Sequence, residues 1–198
     1  MSIIVNARQV TVPRIIARNR TDLSPWVTLE EISIEQGGST TGVFHAFRQS
    51  DYVQVFAMTT HGEFLLVQQY RPVVEEWTLE FPGGLRDSGE DAERTATREL
   101  KEETGFAAVE TIPLVECHAD VGRLCNKFFG FFAVAEQVAD AEPGISTLLV
   151  GGDDLQAYAT TGRLAYAGQI GLLYLAASNP RVRELCRQFG YAAVPWLK

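Results

Sequence analysis

The amino-acid sequence predicts an α/β sandwich with a small antiparallel β unit ahead of it, on three observations. Segments with the two-residue alternation of strands interleave with segments of helical spacing along most of the 198 residues. The composition, 46% hydrophobic and 21% charged with no long polar tract, is that of a chain with a sizeable ordered core. Residues 1–50, a basic arm followed by a hairpin pattern, differ in character from residues 51–198, which read as the main domain.

Taken in order, residues 1–22 are mixed and basic, with Arg8, Arg14, Arg18 and Arg20, and read as an arm or edge segment. Trp26 to Ile34 alternates as a half-buried strand does, Glu35-Gln36-Gly37-Gly38-Ser39 reads as a hairpin turn, and 41–47 supplies the returning strand. Residues 51–58 and 63–69 are two more strands around the turn Thr60-His61-Gly62. A short strand at 77–81 stops at Pro82-Gly83-Gly84, where proline removes a backbone donor and glycine opens unusual backbone angles. A helix over 90–104 follows, with Ser88 as its N-cap, Asp91 three residues on, and Gly105 as its stop. Residues 128–134 are an apolar run typical of a buried strand, 140–144 a polar turn and 145–150 a further strand. Three helices close the chain: 155–161, capped by Asp153 or Asp154; 168–178, ending before Pro180; and 181–189.

Charge and composition remove several classes of function. A formal net charge of −8 argues against a protein that grips long nucleic acid, which needs basic patches, so no nucleic-acid partner is expected. A small phosphate substrate stays open, because divalent cations can supply positive charge locally. Cys117, Cys125 and Cys186 are too few and too scattered for a disulfide framework and contain no CxxC pair, so reduced thiols in a cytoplasmic protein are expected. The first residues lack the apolar stretch of a signal peptide, and no run approaches the roughly 20 apolar residues that cross a bilayer, so no membrane partner is expected.

The segment Arg98-Glu99-Leu100-Lys101-Glu102-Glu103-Thr104-Gly105 breaks local rules. On a helix Glu99 and Glu103 share one face with Glu102 beside them, so three carboxylates crowd one sector. They also stand in the last turns, where the helix dipole favours cations. Each dipole contact costs about 0.3–1 kcal/mol and each like-charge pair about 0.2–0.5 kcal/mol. A solvated charged face is the plain reading of such a run. Against it, Ala92 and Ala96 lie on nearly the same side as Glu99 and Glu103, so the carboxylates extend the inward stripe of the helix. Hard oxygen ligands on a rigid element suit Mg²⁺ or Mn²⁺, which bind carboxylates together with phosphate oxygens. The Phe81-Pro82-Gly83-Gly84-Leu85 turn ahead of the helix lets backbone approach a metal or phosphate closely.

From Gly84 the chain runs five residues to Glu90, seven to Arg98-Glu99-Leu100, one to Glu102-Glu103, and one to Gly105-Phe106. These nine positions resemble the Nudix box, GX5EX7REUXEEXGU, over residues 84–106. The resemblance implies a Nudix α/β/α sandwich with a mixed sheet. It also implies Glu99, Glu102, Glu103 and the Gly83 carbonyl as ligands of Mg²⁺ or Mn²⁺, with Arg98 orienting a glutamate and Glu90 supporting the loop–helix geometry. Its chemistry would be attack of an activated water on one phosphorus of a diphosphate, without a covalent enzyme intermediate.

Gln68-Gln69-Tyr70-Arg71-Pro72 and Thr78-Leu79-Glu80-Phe81-Pro82-Gly83-Gly84 resemble the ADP-ribose/ADP-sugar pyrophosphatase branch. Trp26-Val27-Thr28-Leu29-Glu30 is similar to the segment of that branch that carries a base-stacking tryptophan. The branch implies a homodimer that exchanges its N-terminal β units, Arg71 as a phosphate contact and Glu80 as its partner or a substrate-site carboxylate. It also implies a catalytic glutamate in a loop after the box, where Glu142 is the first choice and Asp140 the second. The ordinary alternatives stay open: a surface arginine for Arg71, a core aromatic for Trp26, an acidic turn for Glu142. Residues 117–127 depart from the branch, and Arg123, Asn126 and Lys127 there would suit a different sugar or phosphate. The expected substrate is therefore ADP-ribose or another nucleotide sugar. The alternatives are an NADH-type dinucleotide, or a binding module that senses ADP-ribose-like ligands; such a module would be expected to lose box carboxylates, and all are present.

Overall fold

The computed structural model describes residues 12–189, which divide into two units. The first comprises the described residues up to Gln49 together with Asp120–Asn126; the second comprises Ser50–Ala119 and the described residues from Lys127 on.

In the first unit, β1 (Arg14–Asp22), β2 (Thr28–Gln36) and β3 (Ser39–Arg48) pair antiparallel in that order. The β2–β3 turn is Gly37-Gly38, with φ of +66° and +84°, the positive angles that a two-residue hairpin needs to match strand twist. Residues 14–22, whose basic composition suggested an arm or edge segment, form the edge strand of this sheet. The reason is pairing across strands: Glu30 of β2 is fully buried and receives Arg18 at 2.7 Å, Arg20 at 3.0 Å and Arg48 at 3.3 Å. Burial alone would raise the Glu30 pKa, but hydrogen bonds from Arg20 and Arg48 and the charges of Arg48 and Arg18 outweigh it and hold the carboxyl below its ordinary range. The 120–126 segment belongs here through Phe47, whose amide donates to the Arg123 carbonyl and whose carbonyl accepts from Cys125.

The second unit has a six-stranded mixed sheet. Its strands are β4 (Tyr52–Thr59), β5 (Phe64–Arg71), β6 (Glu76–Glu80), β7 (Phe106–Cys117), β8 (Phe128–Gln137) and β9 (Ser146–Val150), in the order β6-β5-β4-β8-β7 with β9 on β5. Only β4 and β8 run parallel, and these two central strands are the most continuously apolar, as burial on both faces requires. β7 carries no regular alternation in sequence. Its alternation is interrupted by Pro113 and by two register shifts, between Ala108 and Glu110 and between Pro113 and Val115, so its period is lost although it is the longest strand.

Helices cover both faces. Val53, Val55, Ala57, Leu65, Phe131 and Ala133 point to one side, where Ala96 and Leu100 of α1 (Ala92–Thr104) and Phe106 meet them. Phe56, Met58, Phe64, Leu66, Phe132 and Val134 point to the other, against α2 (Gly152–Thr160), α3 (Ala167–Ser178) and α4 (Pro180–Gln188). The N-cap of α1 is Asp91, not Ser88: its side chain accepts from the amides of Glu93 and Arg94, while Gly89 at φ +81° turns the chain between Ser88 and the helix. Similarly α2 starts after Gly151, two or three residues earlier than an aspartate cap would place it, and Asn179 caps α4 with Pro180 in its first turn. Cys117, Cys125 and Cys186 are free thiols. Among the described residues no helix is long and apolar enough to cross a membrane.

Candidate active site

The acidic end of α1 faces the turn that follows β6. The carbonyls of Pro82 and Gly84 accept from Val55 and Val53, which stitches the turn along β4. Between them the Gly83 amide donates to Glu103 at 2.8 Å. A side chain at Gly83 would collide with the backbone of Val53 and Gln54, and a Cβ at Gly84 would stand 2.5 Å from the Glu99 carboxylate. Gly83 therefore requires glycine for close approach to a strand, while a side chain at Gly84 would push aside the end of Glu99.

Glu103 is 7% exposed, and the Glu99 side chain is 14% exposed. Burial pushes the Glu103 pKa up to about 7, the Gly83 amide and the Arg71 charge oppose that, and the charges of Glu99 and Glu142 add to it. Glu99 is raised by burial as well; its bond to Arg98 lowers it, and Glu102 and Glu142 raise it again. The inward carboxylates thus lack full compensation from the protein. Arg98 spans the group, reaching Glu90 at 3.1 Å, Glu99 at 2.8 Å and Glu102 at 3.0 Å. Its hydrogen bonds, with one from Thr95, hold the Glu90 carboxyl at a pKa of about 2 against a smaller desolvation effect, so Glu90 works as a fixed anchor for Arg98. Glu102 turns outward to solvent on the arm of Arg98.

Two further groups meet this centre. Arg71 grips Glu80 through two bonds of 2.7 Å, and Thr78 donates to the same carboxylate at 2.6 Å. Burial raises the Glu80 pKa, and Arg71 and Thr78 together bring it below its ordinary value. Arg71 is close enough to Glu103 for each to shift the other electrostatically. On the opposite flank Arg98, Lys101, Glu102, Ala139, Asp140 and Glu142 line an open groove of about 460 Å³. Glu142 is exposed there, its amide bonded to the Glu102 carbonyl at 2.9 Å.

The donor set fits a hard divalent cation in a defined sense. Among the described residues no three His, Cys, Asp or Glu side chains form a ready-made cage. Mg²⁺ does not need one, since it is usually held by one or two carboxylates with waters and substrate phosphates. Glu99, half-buried, and Glu103, buried, carry only partly offset charge beside a glycine turn and offer such a pair.

The structure brings together Gly83, Arg98, Glu99, Glu102, Glu103 and Glu142, with Arg71 and Glu80 alongside. Trp26 and Arg123 belong to the first unit. The Trp26 indole is 71% exposed on a turn closed by Ser24, whose hydroxyl accepts from the amides of Trp26 and Val27. Asn126 is buried, within hydrogen-bond reach of Gln49, and Lys127 of the second unit pairs with Glu116. The sequence reading missed Thr78 and Thr95 as supports of Glu80 and Glu90. The Thr-Leu-Glu spacing, which puts Thr78 and Glu80 on one face of a strand, was the available signal for the first.

Residues 49–146 match the family model described as NUDIX domain. These residues form a Nudix domain. Over 70 residues, 35% of this chain and 38% of the relative, its sequence is 37% identical to an ADP-ribose pyrophosphatase of Bacillus subtilis (strain 168). Over 45 residues, 23% of this chain and 20% of the relative, it is 56% identical to an ADP-ribose pyrophosphatase of Saccharomyces cerevisiae (strain ATCC 204508 / S288c). The matched stretches thus span well under half of these relatives. A solved structure described as that of an ADP compounds hydrolase shares the Nudix fold, with a TM-score of 0.72, 23% identity, and coverage of 92% of this chain and 98% of the other.

Proposed function

We propose that the chain hydrolyses the diphosphate of a nucleoside diphosphate linked to another group, with ADP-ribose or another nucleotide sugar as substrate, releasing a nucleoside monophosphate and a sugar phosphate. The observation that carries this is the pair Glu99 and Glu103, half-buried and buried with only partly compensated charge against the Gly83-Gly84 turn, with Arg71 near Glu103. Glu99, Glu102, Glu103 and the Gly83 carbonyl would hold Mg²⁺ or Mn²⁺. When bound, such an ion supplies Lewis acidity toward phosphoryl oxygens and lowers the pKa of water.

The remaining steps belong to the chain's own side chains. Arg98, pinned by Glu90, keeps Glu99 and Glu102 in place. Arg71, held by Glu80, directs its exposed guanidinium at a phosphate. Glu142 takes the proton of the attacking water. Trp26 stacks on the base, and Arg123 contacts the far group. The likeness to two ADP-ribose pyrophosphatases supports the substrate class.

The test is the full-length protein with Mg²⁺ or Mn²⁺ on a panel that includes ADP-ribose, other nucleotide sugars and NADH, with both products identified. Release of AMP from ADP-ribose, stopped by excess EDTA, is the expected result, with Trp26→Ala raising KM for adenine substrates more than it lowers kcat. No turnover on any member of the panel would favour a ligand-sensing module, and a rate indifferent to EDTA would exclude the metal reading.

A homodimer through the first unit is part of the proposal. Its sheet leaves Ile15, Ile16, Val43, Phe44 and Phe47 exposed, apolar side chains that a second copy would cover. Sedimentation at micromolar concentration should give twice the chain mass, and a monomer there would remove this part of the reading.

A further inference from the structure

We propose that Gly105 is a positioning residue for Glu142, because the end of α1 is built as a seat for the loop that carries that glutamate. The inference rests on the role given to Glu142 above. A helix ends with four carbonyls that have no partner in its own ladder. In α1 these are the carbonyls of Lys101, Glu102, Glu103 and Thr104; the first is closed by the cap residue Gly105 in the helix's own spacing, and the other three face the 142–147 segment. The Gly105 amide takes Lys101 at 2.9 Å, the Glu142 amide takes Glu102 at 2.9 Å, and the single proton of the Thr147 hydroxyl is shared between Glu103 and Thr104 at the longer distances of 3.5 and 3.4 Å. One segment, from Glu142 to Thr147, thus completes the end of the helix that carries Glu99 and Glu103.

The base of that segment rests on Gly105 itself. The Gly105 carbonyl accepts from the amides of Val138 at 2.9 Å and Ala139 at 3.0 Å. A Cβ at Gly105 would run into the Ala139 carbonyl oxygen and stand 2.9 Å from the carbonyl carbons of Ala139 and Asp140. These are backbone atoms and cannot swing away as a side-chain tip can. Gly105 also has φ of +76°, which suits glycine as a helix C-cap. The two demands are separable, since asparagine tolerates the left-handed angle but still brings a Cβ. A residue that only ends the helix would be replaceable by asparagine; one that seats the loop would not.

The experiment compares Gly105→Asn, Glu142→Gln and the double variant in the full-length protein, with kcat, KM, thermal unfolding and hydrogen exchange measured on each. Glu142→Gln should lower kcat about 100-fold, the scale of a lost proton acceptor. Gly105→Asn should remain folded, speed exchange at the Val138, Ala139 and Glu142 amides, and lower kcat about 30-fold or more with KM little changed, as a displaced catalytic group does. In the double variant the rate should fall no more than about threefold below Glu142→Gln, because both changes remove one contribution. Pro143→Gly loosens the same exposed loop without touching the helix. It should show the same non-additivity with Glu142→Gln, which covers the case in which Gly105→Asn does not fold. Wild-type kcat in Gly105→Asn, or losses that multiply in the double variants, would overturn the positioning role. An unchanged rate in Glu142→Gln alone would instead overturn the role of Glu142, and the inference with it.

Discussion

Glu103→Gln is expected to abolish turnover while making the metal-free protein more stable. The opposite signs come from one feature, the burial of an ionisable carboxyl among other carboxylates. In the fold Glu103 has a pKa of about 7 rather than the ordinary 4.5, so between those values the native state holds a proton that the unfolded chain has released. Stability therefore falls as pH rises through this window. The contribution is neutral below about pH 4.5 and fully unfavourable above about pH 7, where it is on the order of 3 kcal/mol. Glutamine keeps the shape and can still accept from the Gly83 amide, but it carries no charge to desolvate. Thermal unfolding without metal, from pH 5 to pH 9, should show a decline in the wild type that is shallower in Glu103→Gln, with the variant the more stable at pH 8. Added Mg²⁺ should raise the wild-type Tm and leave the variant nearly unmoved. Turnover should drop about 1000-fold, the upper range for removing one electrostatic contributor at a reacting centre. A variant less stable than wild type at pH 8, or one that retains its rate, would contradict this account of Glu103.

How much of this was legible in the sequence depends on whether the relevant contacts are local. The α1 helix, its glycine stop and the inward direction of Glu99 and Glu103 were legible, because helical spacing alone puts those carboxylates in line with Ala92 and Ala96. The Gly37-Gly38 hairpin and the two-sided apolar run of β8 were legible for the same reason. Pairings between segments were not. The Arg71–Glu80 grip, for which only the family resemblance offered Glu80 as a partner, follows from the antiparallel register of β5 and β6, in which Arg71 faces Glu76 and Gln69 faces Thr78. Nothing in either segment taken singly sets that register. The attachment of residues 138–147 to the end of α1 is likewise tertiary: an acidic turn with Pro143 and Gly144 has the same composition whether it seats on a helix or projects into water. β7 was hidden by its own irregularities. The basic stretch 14–22 was legible as an edge segment, and β1 is the edge strand of its sheet; the role of its arginines was not, because only the strand beside them shows what they hold.

What they hold is Glu30, and Glu30→Ala is expected to destabilise the protein by about 3 kcal/mol. Removing one partner of a buried ion pair typically costs about 3–5 kcal/mol, because the other charges are left without compensation. Here the figure belongs at the lower end, since the guanidiniums of Arg18, Arg20 and Arg48 keep 40%, 57% and 46% of their side-chain surface in water. The effect should be local. Hydrogen exchange should accelerate across β1, β2 and β3 and stay unchanged at the β4 and β8 amides, which lie in the other unit. Acid should mimic the substitution. The Glu30 carboxyl is held below its ordinary pKa, so its contribution is complete above about pH 4.5, the unfolded value, and is lost as pH falls through the lower folded value. Unchanged exchange in Glu30→Ala would show that the arginines are indifferent to their anion. Glu30→Met then separates stability from specification. A buried ionic cluster can often be replaced by apolar packing without loss of stability, and one carboxylate drawing on β1 and β3 from the strand between them also favours a single pairing of three strands. If Glu30→Met matches the wild-type Tm yet exchanges faster in β1, the carboxylate sets the register of the sheet rather than its stability.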